Sequence, residues 1–287
     1  MALSNLQREL WANTLVALFN ENAWMNRLIN TNVVGDTMGD VFHIIGAGDV
    51  AVEDVDDDAD LSYDELTDTN VSLTPNFDKA FKFIHKDTDK TGTNLNAIPT
   101  YVARGAERLI DAWDASILAD HASTGSNFDN GGTDWQFTKD TAAEIPVFMA
   151  KLEKAVVDLN WPDASEKYIV APSGFKEAIL TYTGGRASDL GDSVLTQGLN
   201  NAFTYGGFNV FISNNCTTVS TTLHGLCGLV GNGIAGITQV NPNSIETLRA
   251  EGRFADLYRG RMRGGHKVYK TDAVVDIEFN STVVATS

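Results

Sequence analysis

The sequence predicts an α+β fold, and three observations lead there. Residues 98–123, IPTYVARGAERLIDAWDASILADHAS, place Val102, Ala106, Leu109, Trp113, Ile117 and Leu118 on one face at helical spacing. At 1.5 Å per residue such a helix is about 35–40 Å long. Residues 36–70 form the opposite texture, an acidic centre bracketed by strand-like pieces at 41–45 and 70–74. From Lys167 onward, short apolar runs bounded by Gly, Asn and Pro alternate with only brief helical patterns, which reads as sheet.

Composition limits the functions available. A chain of 287 residues has room for one large core or two smaller domains. A formal charge of −17 repels a polyphosphate duplex and disfavours non-specific nucleic-acid binding. No apolar run is long enough for a membrane helix, so no membrane partner is expected. The N-terminal stretch lacks the basic start and clean apolar block of a secretory signal. Cys216 and Cys227 have no zinc or disulfide-framework spacing and read as small buried apolar residues in a reducing compartment.

In chain order, residues 4–30 read as a helix on Leu6, Leu10, Leu15, Leu18, Phe19 and Trp24, with Ser4 placed to cap it. Residues 36–70 carry twelve acids and no Lys or Arg, and read as a protruding two-stranded excursion with a solvated tip. An isolated hairpin of that kind is marginal and needs a partner surface. Residues 77–86, FDKAFKFIHK, alternate through Phe77, Phe81 and Phe83 and read as a strand or a short amphipathic piece. The long helix comes next; Pro99 suits its first turn, and Arg104, Glu107, Arg108, Asp111 and Asp114 occupy its other faces. The like-charged spacings Arg104/Arg108 and Glu107/Asp111 do not favour an isolated helix, so another surface is expected to meet that face.

A polar Gly-rich loop leads to a helix opened by a Thr141–Glu144 capping box and closed at Trp161-Pro162. Strand 168–171, a helix from Pro172, a helix over 193–203, strand 207–212 and LHGLCGLVGNGIAGITQV as another strand follow. A basic segment with Arg249, Arg253, Arg259, Arg261, Arg263, Lys267 and Lys270 precedes and enters two closing strands, near 266–270 and 273–279. Acid and base are thus segregated along the chain.

Most catalytic motifs fail on their flanks. Gly46-x-Gly48-x-x-Ala51 and Gly231-x-Gly233-x-x-Gly236 mimic a dinucleotide fingerprint. The first runs into an acidic stretch and the second continues as strand, so neither offers a helix N-terminus to a pyrophosphate. Asp54, Asp56, Asp58 and Glu65 reproduce the ligand spacing of a calcium loop. Ala59 stands where that loop needs Gly, and the flanks are strand-like, leaving only a weak Ca²⁺ candidate. The histidines at 43, 85, 121, 224 and 266 form no ligand cluster by spacing, and there is no nucleophile elbow or P-loop. No catalytic residue and no cofactor are expected.

The order of parts resembles the major capsid protein of tailed bacteriophages, the Hong Kong 97-type coat fold. The resemblance is carried by YIVAPSGFKEAIL, YGGFNVFISNN, GLVGNGIAGITQV and IETLRAEGRFADLYRGRMRGGHKVYKTDAVVDIEF, taken in sequence. It implies an N-terminal arm over 1–38 and an E-loop over 39–76. It also implies a P-domain over 77–167 and 244–287, built on the spine helix, and an A-domain over 168–243. The implied function is structural: pentamers and hexamers of the chain close into an icosahedral shell of the virion around double-stranded DNA, without reading its sequence. Separate scaffolding, portal and decoration proteins are the further partners that the resemblance implies. An encapsulin-type nanocompartment shell is the alternative within the same fold, and a soluble mixed α/β enzyme the alternative outside it.

Two departures from the family pattern carry expectations. No lysine precedes Lys79, so covalent cross-linking through the E-loop is not expected. The arm begins within a few residues of Met1, so any scaffolding is expected from a separate protein. The charge segregation suggests electrostatic strapping: Asp54, Asp56, Asp57, Asp58 and Asp60 of one subunit over Arg249, Arg253, Arg259, Arg261 or Arg263 of the next. The competing reading has these arginines satisfy carboxylates of their own subunit.

Overall fold

The computed structural model describes residues 23–32, 39–47, 68–88, 98–137, 144–184, 199–240 and 245–280. The acidic tip and most of the N-terminal arm lie outside them. The architecture is built around the predicted helix, α2 (Ile98–Leu118), which continues as a 3₁₀ turn over Ala119–Ser123. Its apolar stripe is buried at Ala106, Leu109, Trp113, Ile117 and Leu118.

Two sheets meet this helix. One holds β3 (Phe77–Lys86), β10 (Ile234–Val240), β11 (Ile245–Arg249) and β12 (Ala255–Val268), with β12 central and β3, β10 and β11 all antiparallel to it. The other is a mixed seven-stranded sheet. Its order is β4 (Ser126–Phe128), β13 (Val274–Asn280), β9 (Thr222–Leu229), β5 (Lys167–Ala171), β7 (Phe208–Ile212) and β6 (Ala202–Tyr205), with β8 (Thr217–Val219) beside β9. Leu109, Trp113, Ile117 and Leu118 share one core with Phe77, Met262 and Val268 of the first sheet and Tyr168, Val170, Leu226 and Val274 of the second. The helix is therefore buried from both sides. On its other face the large sheet is covered by α3 (Ile145–Asp158) and α4 (Ser173–Gly184), over a core rich in edge-to-face aromatics such as Trp135–Phe148, 5.0 Å between centroids. Burial on both faces explains why Tyr168–Ala171 reads as a continuous apolar run.

A two-stranded hairpin, β1 (Phe42–Ala47) with β2 (Asp68–Leu73), forms the base of the predicted excursion. Its inner residues Phe42, Ile44 and Leu73 pack on Ala235 and Ile237 of β10, which supplies the partner surface that a lone hairpin lacks. Before it, α1 (Met25–Leu28) and the following Asn30 lie along β10, with the backbone bonded at Asn30 N to Ile234 O and at Gly236 N to Asn30 O, both 2.9 Å.

Several expectations need correction. Within the described part of the 4–30 helix only Met25–Leu28 is helical, because Ile29 turns extended to run beside β10. The end of the predicted 193–203 helix is strand β6, since Ala202 and Phe203 pair with Phe211 and Val210. Residues 222–240 are two strands in different sheets. The turn between them uses Gly231 (φ +71°) and Gly233 (φ +95°), and a side chain at Gly233 would sit 2.3 Å from Val274 Cγ2. Helix α3 begins at Ile145 with Pro146 in its first turn and Glu144 as its cap residue, which makes no side-chain capping bond; Thr141 of the predicted capping box lies outside the described residues. Asp114 lies on the face expected to meet another surface, and it is buried, 1% exposed. Most of the arginine segment is itself strand, Arg249 in β11 and Arg259, Arg261 and Arg263 in β12, with Arg253 in the turn between them.

Candidate intersubunit surface

Strands β3, β12 and β11 form a three-stranded strap along the spine helix. The alternation of β12 sends Tyr258, Gly260, Met262 and Gly264 toward the helix and Arg259, Arg261 and Arg263 away from it. The helix-facing side is held by aromatics. Phe83 stacks on Tyr258 at 5.1 Å and meets Tyr101 of α2 at 5.8 Å. The ring of Phe81 lies between two glycines: a side-chain carbon at Gly105 of the helix would fall 2.5 Å from it and one at Gly260 of β12, 2.4 Å. Glycine in the middle of α2 costs about 1 kcal/mol of helix propensity against alanine. Here it makes room for that ring.

The outward side carries the arginines. Arg259 Nε donates to Glu246 Oε2 at 2.6 Å, across the β11–β12 ladder. Arg261 forms a two-pronged pair with Asp78 of β3, its Nε at 2.7 Å from Oδ1. Arg263 is 3.9 Å from Asp40 at the foot of the hairpin. Arg249 bridges Asp87 and Asp256 through Nη1, at 2.8 and 2.9 Å. The Arg261 guanidinium holds the Asp78 carboxyl below its usual range, chiefly by hydrogen bonding. Arg249, Arg259 and Arg261 nonetheless keep side-chain exposures of 50%, 58% and 53%. Beyond the charged rows, Ile84, Leu257 and Leu248 stand directly opposite one another across the three strands, all exposed. At the turn after β11, Arg253 is exposed, with no ion pair among the described residues, and Phe254 is 85% exposed.

The arm and the spine are joined by Asp114. Its Oδ1 accepts from the backbone N–H groups of Trp24 and Met25, both at 2.7 Å, so it caps α1 from another element. Its Oδ2 accepts from Asn215 at 3.2 Å. Burial outweighs these donors and pushes the Asp114 carboxyl above its usual range.

A second polar centre lies where the 3₁₀ end of the spine meets the large sheet. His224 of β9 and His121 both turn Nδ1 to Asp276 Oδ2 of β13, at 2.7 and 3.4 Å. Their rings stack 3.8 Å apart. His266, by contrast, has both ring nitrogens engaged, by Ser116 Oγ at 2.8 Å and Asp120 Oδ2 at 2.5 Å.

No protein-family model matches the sequence, and no curated protein matches it. Solved structures do. A structure from Mycobacterium phage Che8 superposes with a TM-score of 0.78 and 23% identity over 98% of this chain and 99% of that one. The mature capsid of bacteriophage PhiM1 gives 0.70 and 10% over 97% and 94%, and the capsid of a native GTA particle 0.69 and 15% over 96% of each. The fold is that of phage capsid proteins. Asp54, Asp56, Asp57, Asp58, Asp60 and Glu65, hence both the acidic strap and the calcium candidate, lie outside the described residues. Arg249, Arg259, Arg261 and Arg263 are brought to one strap and each meets a carboxylate of its own chain. Gly236 lies within β10, so the second glycine motif runs into strand and offers no helix N-terminus; Gly46 lies within β1, and the rest of the first motif, Gly48 and Ala51, lies outside the described residues. Sequence reasoning missed His121, His224 and Asp276 as a group, because they stand far apart in the chain. The available signal was a histidine inside the largely apolar run TLHGLCGL and an aspartate between the apolar Val275 and Ile277 of VVDIEFN.

Proposed function

We propose that the chain is a major capsid protein, which assembles into pentamers and hexamers of an icosahedral virion shell around double-stranded DNA. The observation that carries this reading is the end-to-end match: nearly the whole of this chain corresponds to nearly the whole of chains from phage capsids. In this reading the regions are an N-arm over 1–38, an E-loop over 39–76, a P-domain over 77–167 with 244–287, and an A-domain over 168–243. The role is structural rather than enzymatic. Among the described residues no helix is long and apolar enough to cross a membrane.

The strap is the surface that meets a neighbour. The arginines that bond their own carboxylates still keep about half of each side chain exposed, and the row Ile84–Leu257–Leu248 adds exposed apolar area beside them. The acidic E-loop of the adjacent subunit, at Asp54–Asp60, supplies the complementary charge. Single exposed pairs contribute at most about 1 kcal/mol, but a ring repeats each contact around its axis. Negative-stain electron microscopy of the chain, expressed alone and with its neighbouring reading frames, tests the reading. Closed shells, or rings of five and six subunits, support it. A discrete monomer or dimer under every condition refutes it.

A further inference from the structure

The second polar centre gathers two histidines and an aspartate that could hold a metal ion. His121 ends the spine helix, His224 sits on β9 and Asp276 on β13, so three separate elements converge on one point. The two imidazole nitrogens and the carboxylate oxygen lie within 4.8 Å of one another. Asp276 is 2% exposed, and its second oxygen, Oδ1, is buried with no hydrogen-bond partner. A buried carboxylate oxygen left without a donor is costly and calls for an explanation.

We infer that His121, His224 and Asp276 form a divalent transition-metal site that clips the end of the spine helix to the large sheet. Two imidazoles and one carboxylate suit a borderline cation of the Zn²⁺ class rather than Ca²⁺ or Mg²⁺, which take mainly oxygen ligands. The surroundings favour a cation. Glu278 stands directly across the ladder from His224, on the same face as Asp276, and Asn127 holds its carboxylate by an Nδ2–Oε1 bond of 2.7 Å. Asp134, bonded by Thr222 Oγ1 at 2.7 Å, and Asp129 add negative charge beside Glu278. The stacked rings must fan apart for both nitrogen lone pairs to reach one ion. His121, on the 3₁₀ turn rather than in a strand, is the ligand placed to turn.

The inference does not depend on whether the chain builds a shell. Its test is Co²⁺ titration of the chelator-stripped full chain, followed by visible d–d absorption and by competition with Zn²⁺. One equivalent per chain is expected to bind and to be displaced by Zn²⁺. Asp276→Asn and His121→Gln are each expected to weaken binding at least about 10-fold. His121→Gln is the safer variant for folding, because the residue lies on a turn, and circular dichroism confirms the fold of each. A folded wild-type chain that takes up no stoichiometric ion overturns the site. So does binding that survives His121→Gln and Asp276→Asn unchanged, because it would then lie elsewhere, for instance in the acidic run 53–65.

Discussion

Replacing Asp114 tests the joint between the N-terminal segment and the spine. In Asp114→Ala, the Trp24 and Met25 N–H groups lose the oxygen they share at 2.7 Å, and Met25 is fully buried. Each stranded buried donor costs about 1–3 kcal/mol. Removing a buried carboxylate gives part of this back, which places the net loss at about 2–4 kcal/mol. Asp114→Asn keeps the Oδ1 acceptor for both N–H groups. Its new amide faces Asn215, which retains Asp111 Oδ1 at 2.8 Å, so the expected loss is about 1 kcal/mol or less. The pH dependence has a definite sign. Because burial raises Asp114 in the folded state, its contribution to stability is fully present below the ordinary carboxylate range and is lost as the pH rises through the raised value. Asparagine has no such term, so the variant gains relative to the parent as the pH rises. Urea unfolding of the unassembled chain across this pH range measures both effects. An alanine variant within 0.5 kcal/mol of the parent (about the scatter of neutral surface changes), or an asparagine variant as damaged as alanine, would refute the capping argument.

Four further outcomes follow from the same geometry. Reversing Arg259 and Arg261 to Glu should lower particle yield and salt tolerance while leaving circular dichroism unchanged; unaltered particles would remove the strapping role. Asp78, held below the usual carboxylate range by Arg261, contributes stability above that range and loses it as the pH falls through its folded value, so the unfolding difference between the parent and Asp78→Asn should vanish in acid. Gly260→Ala should cost about 1–3 kcal/mol by crowding Phe81, and the combination with Phe81→Ala should cost less than the sum of the two, as a double-mutant cycle would read. Cys216, whose thiol burial pushes up to about 12, and the buried Cys227, raised likewise, should resist a disulfide reagent at pH 8 until the chain is denatured.

What the sequence determined by itself is local and periodic. The spine helix was legible because its apolar residues repeat with the helix period, and the strand 77–86 because its phenylalanines follow the strand period. Charge segregation was legible because it is composition. The order of parts pointed to the capsid fold that the solved structures share. Only the tertiary structure decided the rest. Asp114 reads as polar surface in the helix pattern, and its burial depends on α1 docking from ninety residues away. The glycine-rich run 222–240 reads as one strand, and its division between two sheets depends on which strands lie on either side of its turn. The partners of the arginines depend on β12 lying between β3 and β11. The group formed by His121, His224 and Asp276 exists only because the end of the spine lies on the large sheet. Periodicity reports which face of an element is buried; it carries no information about which distant element arrives to cover it.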